Sequence, residues 1–425
     1  GLMKTFEKTS SGADKDKFHF SYGTSEWLAY STGGVTSSYG VQWAVLSGSP
    51  PREVAVAFVE PNTPASTGDA SLERGARVIE VDGVNVEDGS GQDAVDTLNA
   101  AFFPSEINET HEFVVRDLGS TTTRTFSMTS AEITSTPVQN VKVIPTASGP
   151  VGYMLFNDHI KSAEKLLVEA FESLKESSVV DLVLDLRYNG GGYLAIASQV
   201  AYMIAGSSAA SGRNFETLQF NDKHPTTNPV TGGNIDPTPF YNTTIGFSLD
   251  EGTELPTLDL PRVYVLTNSD TCSASEAIIN GLRGIDIEVI QIGNTTCGKP
   301  YGFYGFDNCG TTYFSIQFRG VNNKGYGDYT DGFKPVSSSP EENHEIPGCV
   351  IADDFDHLLG DENEARLKAV LDYRSNGGQC PSSEASSISD LDILRTSGVG
   401  TFSAGAEEDQ LDVPEYPGRL IERPK

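Results

Sequence analysis

The chain has 425 residues, 37% of them hydrophobic, and its 59 acidic against 29 basic side chains give a formal net charge of −30. This length is enough for about two or three domains with buried cores, while the strong negative charge argues against nucleic acid and anionic lipid as partners. No apolar run reaches the roughly 20 residues that a membrane-spanning helix needs, so no transmembrane segment is expected.

After an N-terminal segment of residues 1–32, residues 33–133 have the pattern of a small β-rich module. Alternating apolar residues mark strands, an Asp-Gly pair marks a tight hairpin turn, and helical spacing marks one helix. The predicted elements are, in chain order, a strand at 54–59, a hairpin at 75–84, a helix at 94–103, and a strand pair at 112–116 and 123–128.

The order of these elements resembles that of a PDZ domain in the permuted arrangement of bacterial proteases. Tyr39, Gly40 and Val41 stand where such domains have their carboxylate-binding loop and the strand that follows it. The resemblance implies that these three residues capture the C-terminus of a peptide by strand addition beside backbone N–H groups. The alternative interpretation is a fragment of a β-sandwich with a common hairpin.

Strand and helix signals alternate through residues 134–381, which predicts an α/β core. The apolar run at 179–186 is nearly continuous and is typical of a strand that is buried on both faces. Residues 207–261 are polar and rich in turn formers, so we interpret them as an insertion. Residues 382–425 are dominated by Ser, Glu, Asp and Pro, and we expect a poorly ordered or surface-lying tail.

Three short motifs in this core bear on chemistry. In the first, the run Asp185-Leu186-Arg187-Tyr188-Asn189 leads into Gly190-Gly191-Gly192. Glycines let the backbone approach a bound group and direct N–H donors at it, as a tetrahedral oxyanion requires. The alternative is a flexible turn in which Asp185 and Arg187 form a structural ion pair.

The other two motifs are Ser273-Ala274-Ser275-Glu276 and Gly298-Lys299. The first has the pattern of a capping box, which explains both Ser273 and Glu276 without any catalysis. A helix N-terminus also stabilises developing negative charge, so a nucleophilic Ser273 is compatible with the cap. Lys299 is either a solvated surface lysine, the commonest case, or a buried base that can take the proton of a serine.

In this order the three motifs resemble those of the C-terminal processing, or tail-specific, family of serine proteases, over about residues 33 to 380. The resemblance implies an α/β (α+β) fold with a core similar to crotonase and the Clp peptidase, built of β-β-α units after a PDZ-like β domain. It also implies an endopeptidase that cleaves proteins or peptides near a free C-terminus. Such an enzyme forms an acyl-enzyme and needs neither a cofactor nor a metal.

Carried over by position, Ser273 is the nucleophile and Lys299 the general base. Gly191 and Ala274 are the expected oxyanion-hole donors, with Gly192 as a close alternative to Gly191.

The chain departs from the family pattern at Phe303, four residues after the lysine, where many members have a glutamine that holds the amine. A related branch uses a histidine, but its motif position is Leu155 here. His159 lies four residues farther on, and we expect it to be structural or solvated.

A different class of function is a catalytically inactive binding protein on the same fold, either a pseudo-protease scaffold or a carrier of apolar ligands. Phe303 and the aromatic loop at 301–304 favour it somewhat. We prefer the enzyme, because capping explains only the serine among the serine, the lysine and the glycine turn.

The five cysteines lack the spacing of a zinc site. We expect the disulfides Cys297–Cys309 and Cys349–Cys380, with Cys272 free, although five reduced thiols are the alternative. With the charge and the family, this pairing predicts an exported protein, in a bacterial periplasm or cell envelope.

Overall fold

The computed structural model describes residues 18–381 and the strand Arg419–Leu420. The strands of this part of the chain are β1 (Phe20–Gly23), β2 (Val35–Ser38), β3 (Val41–Ser47), β4 (Glu53–Val59), β5 (Arg77–Val81), β6 (Val84–Asn85), β7 (Thr110–Arg116), β8 (Arg124–Thr129), β9 (Ala131–Thr134), β10 (Val138–Ile144), β11 (Val151–Phe156), β12 (Asp181–Asp185), β13 (Asn214–Gln219), β14 (Thr238–Pro239), β15 (Arg262–Thr267), β16 (Glu288–Gly293), β17 (Tyr301–Phe303), β18 (Gly305–Asn308), β19 (Thr311–Phe314), β20 (Phe318–Val321), β21 (Lys334–Val336), β22 (Glu345–Val350) and β23 (Arg419–Leu420). Its helices are α1 (Thr24–Gly33), α2 (Gln92–Phe102), α3 (Ala163–Glu176), α4 (Leu194–Ala210), α5 (Ala274–Gly284) and α6 (Ala365–Ser375).

The core is a seven-stranded sheet in the order β10-β11-β12-β15-β16-β22-β21. The first pair, β10 and β11, is antiparallel, and every later pair is parallel. Parallel neighbours need a crossover connection, and α3, α4 and α5 supply the first three of these in chain order. The predicted α/β class is therefore confirmed.

Both faces of the central strands are buried, as the continuous apolar run of β12 predicts. Leu182 and Leu184 pack into the cluster formed with α3, α4 and α5. Val183, between them in sequence, points to the opposite face and packs with α6 and with the β-rich module. Successive side chains of a strand point to opposite faces, so a strand covered on both sides is apolar throughout.

The β-rich module is a six-stranded antiparallel sheet in the order β3-β4-β5-β7-β8, with β6 paired to β5. It has its own core, in which the indole of Trp43 stacks on Phe113 and donates to the Phe102 carbonyl. The predicted hairpin about Asp82-Gly83 is confirmed, with Val81 opposite Val84. Among the described residues, strand β3 pairs only with β4 and therefore lies at the edge of this sheet.

Some predicted element bounds shift in the structure. Helix α4 extends past the predicted end at residue 205 to Ala210, with a break at Gly206 (φ 78°). The last helix starts at Ala365 instead of residue 360, because the Glu364 side chain caps it by accepting the Leu367 N–H at 2.9 Å. Strand β13, within the predicted insertion at 207–261, pairs with β20 of the core. The predicted tail lies outside the described residues except for β23.

A buried network of charges joins the β-rich module to the core. Arg187 is fully buried and forms ion pairs with Asp185, Glu364 and Asp353. Arg74 of the module binds Asp353 at 2.8 Å and donates to the Tyr188 hydroxyl at 2.7 Å. The ion pair considered for Asp185 and Arg187 is thus present, as part of a larger structural unit.

None of the helices in the described ranges is both long enough and apolar enough to cross a membrane.

Replacing Arg187 by methionine removes the cation that these carboxylates share. Breaking a buried ion pair by removing one partner costs about 3–5 kcal/mol, because the remaining charge is left uncompensated. We expect Arg187→Met to lower the free energy of unfolding by about that amount in urea titrations. The control is Arg213→Met, whose exposed pair with Asp286 should contribute under about 1 kcal/mol. Equal effects of the two substitutions would contradict this account.

Candidate active site

The candidate site lies at the carboxyl edge of the central sheet, where ligands bind in open α/β sheets. Strands β11, β12, β15 and β16 are neighbours there, and all run in the same direction. The segments that follow them contain, in chain order, His159, the glycine turn, Ser273 and Lys299. The topology therefore brings together motifs that are more than 100 residues apart in sequence, as from His159 to Ser273.

The glycine turn packs directly against the N-terminus of α5. Gly191 has φ +107°, and a Cβ at this position would lie 2.9 Å from the Ala274 nitrogen and 3.0 Å from the Ser273 Cβ. Gly192 has φ +133°, and its Cβ would lie 2.6 Å from the His159 carbonyl oxygen. Both contacts are shorter than real Cβ atoms make, so only glycine lets this turn approach Ser273.

Asn189 holds the turn in place. Its Oδ1 accepts the Gly191 N–H at 3.0 Å and a hydrogen from His159 Nδ1 at 2.9 Å, and its Nδ2 donates to the Phe156 carbonyl at 2.9 Å. The Gly191 N–H is thus already engaged within the turn. Ala274 opens α5, so its N–H has no acceptor inside the helix. The geometry favours Gly192 over Gly191 as the partner of Ala274 in a prospective oxyanion hole.

Ser273 is fully buried and has a conformation that is uncommon for a non-glycine residue, φ 57° and ψ −106°. Such a conformation costs about 1–3 kcal/mol and persists only where the surroundings impose it, which is typical of functional positions. Ser273 and Glu276 also form the predicted capping box, in which the carboxylate accepts the Ser273 N–H at 2.9 Å. The cap and the strained backbone occur at the same residue.

The Glu276 carboxylate links the serine segment to the lysine segment. Oε2 accepts the N–H groups of Ser273 and Lys299, the latter at 2.8 Å. Oε1 accepts the Gly298 N–H at 2.9 Å and the Thr296 hydroxyl at 2.5 Å. Burial raises the pKa of this carboxyl, and the four hydrogen bonds act in the opposite direction. The capping pattern in the sequence predicts Glu276 as a helix cap, but no local signal indicates this second role.

A disulfide joins the same two segments, and it corrects the predicted pairing. Cys272, directly before Ser273, is bonded to Cys297, with the Cα atoms 5.2 Å apart. Cys309, the partner predicted for Cys297, is free and exposed in the turn between β18 and β19. Closeness in sequence suggested that pairing, whereas the adjacent ends of β15 and β16 decide the actual one. The predicted bond Cys349–Cys380 is confirmed, with a Cα separation of 5.6 Å.

Cys272, Cys297 and Glu276 lie close enough together to hold an ion by distance alone. Both sulfurs belong to the disulfide, however, and a metal ligand must be a thiolate. The chemistry of this donor set therefore does not fit a metal site.

Lys299 is 2% exposed, so it is not a solvated surface lysine. Its Nζ lies 4.9 Å from the ring centroid of Phe18, 5.1 Å from that of Phe303 and 5.8 Å from that of Phe20. Phe303, which replaces the expected glutamine, thus still contacts the amine, through a ring face instead of an amide oxygen. The aromatic partners Phe18 and Phe20 come from the N-terminal part of the chain, and no motif identified them.

His159 is fully buried beside the glycine turn, and desolvation lowers its pKa to about 3. It is therefore neutral at physiological pH, with Nδ1 bound to Asn189. Leu155, at the motif position of the histidine-using branch, is a buried residue of the sheet core.

The residues predicted to bind a peptide carboxylate lie in and beside β3. The Tyr39 ring is buried in the module core at 5.7 Å from Phe113. The Gly40 N–H donates to the Ser38 hydroxyl at 3.2 Å, and Val41 starts β3. The carboxylate-binding role of Tyr39, Gly40 and Val41 stays a prediction.

Comparisons with known proteins agree with this architecture. Residues 150–303 match the sequence model of peptidase family S41. A chloroplastic C-terminal processing peptidase of Tetradesmus obliquus is 27% identical over 289 residues, which cover 64% of this chain and 53% of the relative. The chain thus spans about half the length of that relative. Both matches are to peptidases, in agreement with the resemblance to the C-terminal processing family that the sequence motifs carry.

The solved structure of an S41 protease from Bacteroides fragilis shares the fold. The match covers 82% of this chain and 87% of that one, with a TM-score of 0.60 and 21% identity.

Replacing Glu276 by glutamine tests its linking role. Glutamine would replace one carboxylate oxygen by an NH₂ group, which cannot accept the two backbone N–H groups that Oε2 accepts now. Each buried group left unpaired costs about 1–3 kcal/mol. We expect Glu276→Gln to lower the free energy of unfolding in urea titrations accordingly. Glu172→Gln, at an exposed position of α3, should change it by less than about 0.5 kcal/mol. A Glu276→Gln protein as stable as this control would exclude the role.

Proposed function

Since residues 150–303 match the sequence model of peptidase family S41, we propose that this chain is an endopeptidase that cleaves proteins or peptides near their C-termini. The observation that best supports a Ser273–Lys299 dyad is the shared carboxylate oxygen. Glu276 Oε2 accepts the backbone N–H of both residues, at 2.9 Å and 2.8 Å. The disulfide between Cys272 and Cys297 constrains the same two segments.

In the proposed reaction Ser273 Oγ attacks the carbonyl carbon of the scissile peptide bond. The neutral amine of Lys299 takes the hydroxyl proton as the bond forms, and the resulting ammonium returns it to the leaving amine. A water molecule then attacks the acyl-enzyme and gives a proton to the same amine. The ammonium passes this proton to Ser273 Oγ as the acyl group leaves as the new carboxylic acid, which restores the neutral amine and the serine hydroxyl. A desolvated environment favours the neutral form of a lysine, and the 2% exposure of Lys299 meets this requirement.

The tetrahedral intermediate carries an oxyanion that needs hydrogen-bond donors in fixed positions. We assign the N–H groups of Gly192 and Ala274 to this role. Asn189 supports the turn behind Gly192, and the partial positive charge at the start of α5 adds to the stabilisation.

Aromatic rings take the place of the missing glutamine in holding Lys299. Phe303 is itself fully buried and packs against Phe20 and Phe314, with ring centroids 5.4 Å and 5.2 Å away. A residue fixed by such packing can only be displaced at a high cost, so the amine has a defined position. The same packing fills the space next to Phe303, which disfavours the alternative of a carrier that holds an apolar ligand there.

The β-rich module would deliver substrate. An extended peptide could add to the free edge of β3, as in PDZ-like recognition, and so reach the core with its chain extended. The two disulfides suit an oxidising compartment, and we propose that the protein works after export.

Ser273→Ala and Lys299→Met should each abolish peptide hydrolysis, on the order of 10⁴-fold or more in kcat, with the fold retained. Circular dichroism would report the fold, and a fluorophosphonate probe should label the unaltered protein at Ser273. Lys324→Met is a matched control, because Lys324 is exposed and forms an ion pair with Asp286. Undiminished turnover by Ser273→Ala, or a folded protein that the probe never labels, would sink the proposal.

The Cys272–Cys297 disulfide should matter more for catalysis than the Cys349–Cys380 disulfide. Replacing both cysteines by serine frees the two segments that carry Ser273 and Lys299, and a misplacement of about 1 Å can cost on the order of 10²-fold in rate. We expect a loss of that size in kcat. The paired substitution of Cys349 and Cys380 is the control and should leave kcat within about threefold below the melting temperature. Equal losses would mean that the first bond has only a general stabilising effect.

A further inference from the structure

A polar cavity of about 120 Å³ lies between the β-rich module, helix α1 and the carboxyl end of β11. Its acidic lining residues are Glu60 and Asp158, and Asn157 and Tyr188 also line it. Thr36, at its rim, is exposed, so the cavity opens to solvent. No step of the proposed mechanism uses this cavity.

The Asn157 side chain points to a missing ligand. It is only 6% exposed, and among the described residues neither its Nδ2 nor its Oδ1 has a hydrogen-bond partner. A buried polar group without partners costs about 1–3 kcal/mol, and most buried groups avoid this cost. Asn157 lines the cavity, and a ligand that reached its amide would find both polar atoms unused.

The two carboxyl groups favour a cation as that ligand. Asp158 accepts a hydrogen bond from the Tyr30 hydroxyl, and Glu60 accepts the Thr136 N–H at 2.8 Å and the Gln139 amide at 3.1 Å. All of these donors within the described residues are neutral. Burial raises the pKa of each carboxyl to about 7, and the proximity of Glu60 adds to the shift of Asp158. A bound cation would offset the cost of burying both charges.

The size of the cavity limits what can enter. About 120 Å³ exceeds the roughly 30 Å³ of one water molecule but is below the 300–1,000 Å³ of a site that encloses a whole small ligand. The space suits the end of one long side chain that extends from a peptide bound outside.

We propose that this cavity is a substrate subsite that binds the ammonium or guanidinium group of a lysine or arginine side chain. The inference rests on the proposed peptidase function and adds a preference for basic residues to it. Carboxylate oxygens and the Asn157 carbonyl would accept hydrogen bonds from the cation, and charge-assisted bonds of this kind are about twice as strong as neutral ones.

The sheet topology gives the approximate position of this subsite along a substrate. Asn157 and Asp158 follow β11, and Ser273 follows β15, with only β12 between the two strands. Neighbouring strands are about 4.8 Å apart, so the two strand ends are separated by roughly 10 Å. An extended peptide advances about 3.4 Å per residue, which places the basic residue about three positions from the scissile bond.

A peptide carboxylate is the competing occupant, because Gly40 and Val41 of the predicted carboxylate loop also line this cavity. Above pH 7, where both carboxyl groups are mainly ionised, they would repel a carboxylate and attract a cation.

The test compares peptides that differ only in lysine or its neutral isostere norleucine, placed two, three or four residues from a fixed cleavage site. At pH 8, where both carboxyl groups are ionised, we expect kcat/KM to be at least 10-fold higher with lysine at one of these positions. Glu60→Gln with Asp158→Asn, and separately Asn157→Leu, should each reduce that ratio at least threefold. Glu53→Gln, on an exposed carboxylate of β4, is the control that should preserve it.

Binding to the Ser273→Ala protein separates this inference from the proposed function. Fluorescence anisotropy with the same peptides should show tighter binding of the lysine peptide, even if no peptide is ever cleaved. Equal binding and equal kcat/KM for lysine and norleucine would overturn the subsite. A lysine preference that survives the substitutions would also overturn it. A preference for free over amidated C-termini, in place of the lysine preference, would do the same.

Discussion

The candidate site depends on one buried carboxylate. Glu276 is on α5, but its oxygens accept hydrogen bonds from the serine segment after β15 and from the lysine segment after β16. Peptide N–H groups at the ends of strands and helices have no partners within their own elements, and a buried acceptor is needed to satisfy them. A single anion therefore sets the spacing between Ser273 and Lys299, and the neighbouring disulfide reinforces it.

Arg187 also joins several elements through one buried charge, but here the charge is positive. This buried cation collects three carboxylates from β12, the segment after β22 and the residue that caps α6. Arg74 extends the network into the β-rich module, and Tyr188, one of its partners, lies two residues before the glycine turn. The module, the sheet and the turn are thus connected through groups that cannot be moved separately without leaving a charge unpaired.

Contacts seen only in the folded structure change several expectations about the site. The predicted bond Cys297–Cys309 is wrong, because parallel strands bring Cys272 and Cys297 together across a helix, whereas the predicted bond Cys349–Cys380 is present. Gly191 was the first choice for an oxyanion donor, yet its N–H is bound to Asn189, which favours Gly192. Phe303 stands where many family members have a glutamine, and the Lys299 amine lies near its ring and near the rings of Phe18 and Phe20 from the N-terminal part of the chain.

Local signals in the sequence were sufficient for much of the architecture. Apolar periodicity determined the buried strands and the helices, the Asp82-Gly83 turn determined its hairpin, and the capping pattern of Ser273 and Glu276 located the start of α5. Each of these depends on residues close together along the chain. The tertiary structure alone decided which cysteine meets Cys297, what surrounds Lys299 and that the Asn157 side chain has no hydrogen-bond partner among the described residues. Those outcomes depend on which strand ends lie side by side, a property of the whole sheet that no short stretch of sequence contains.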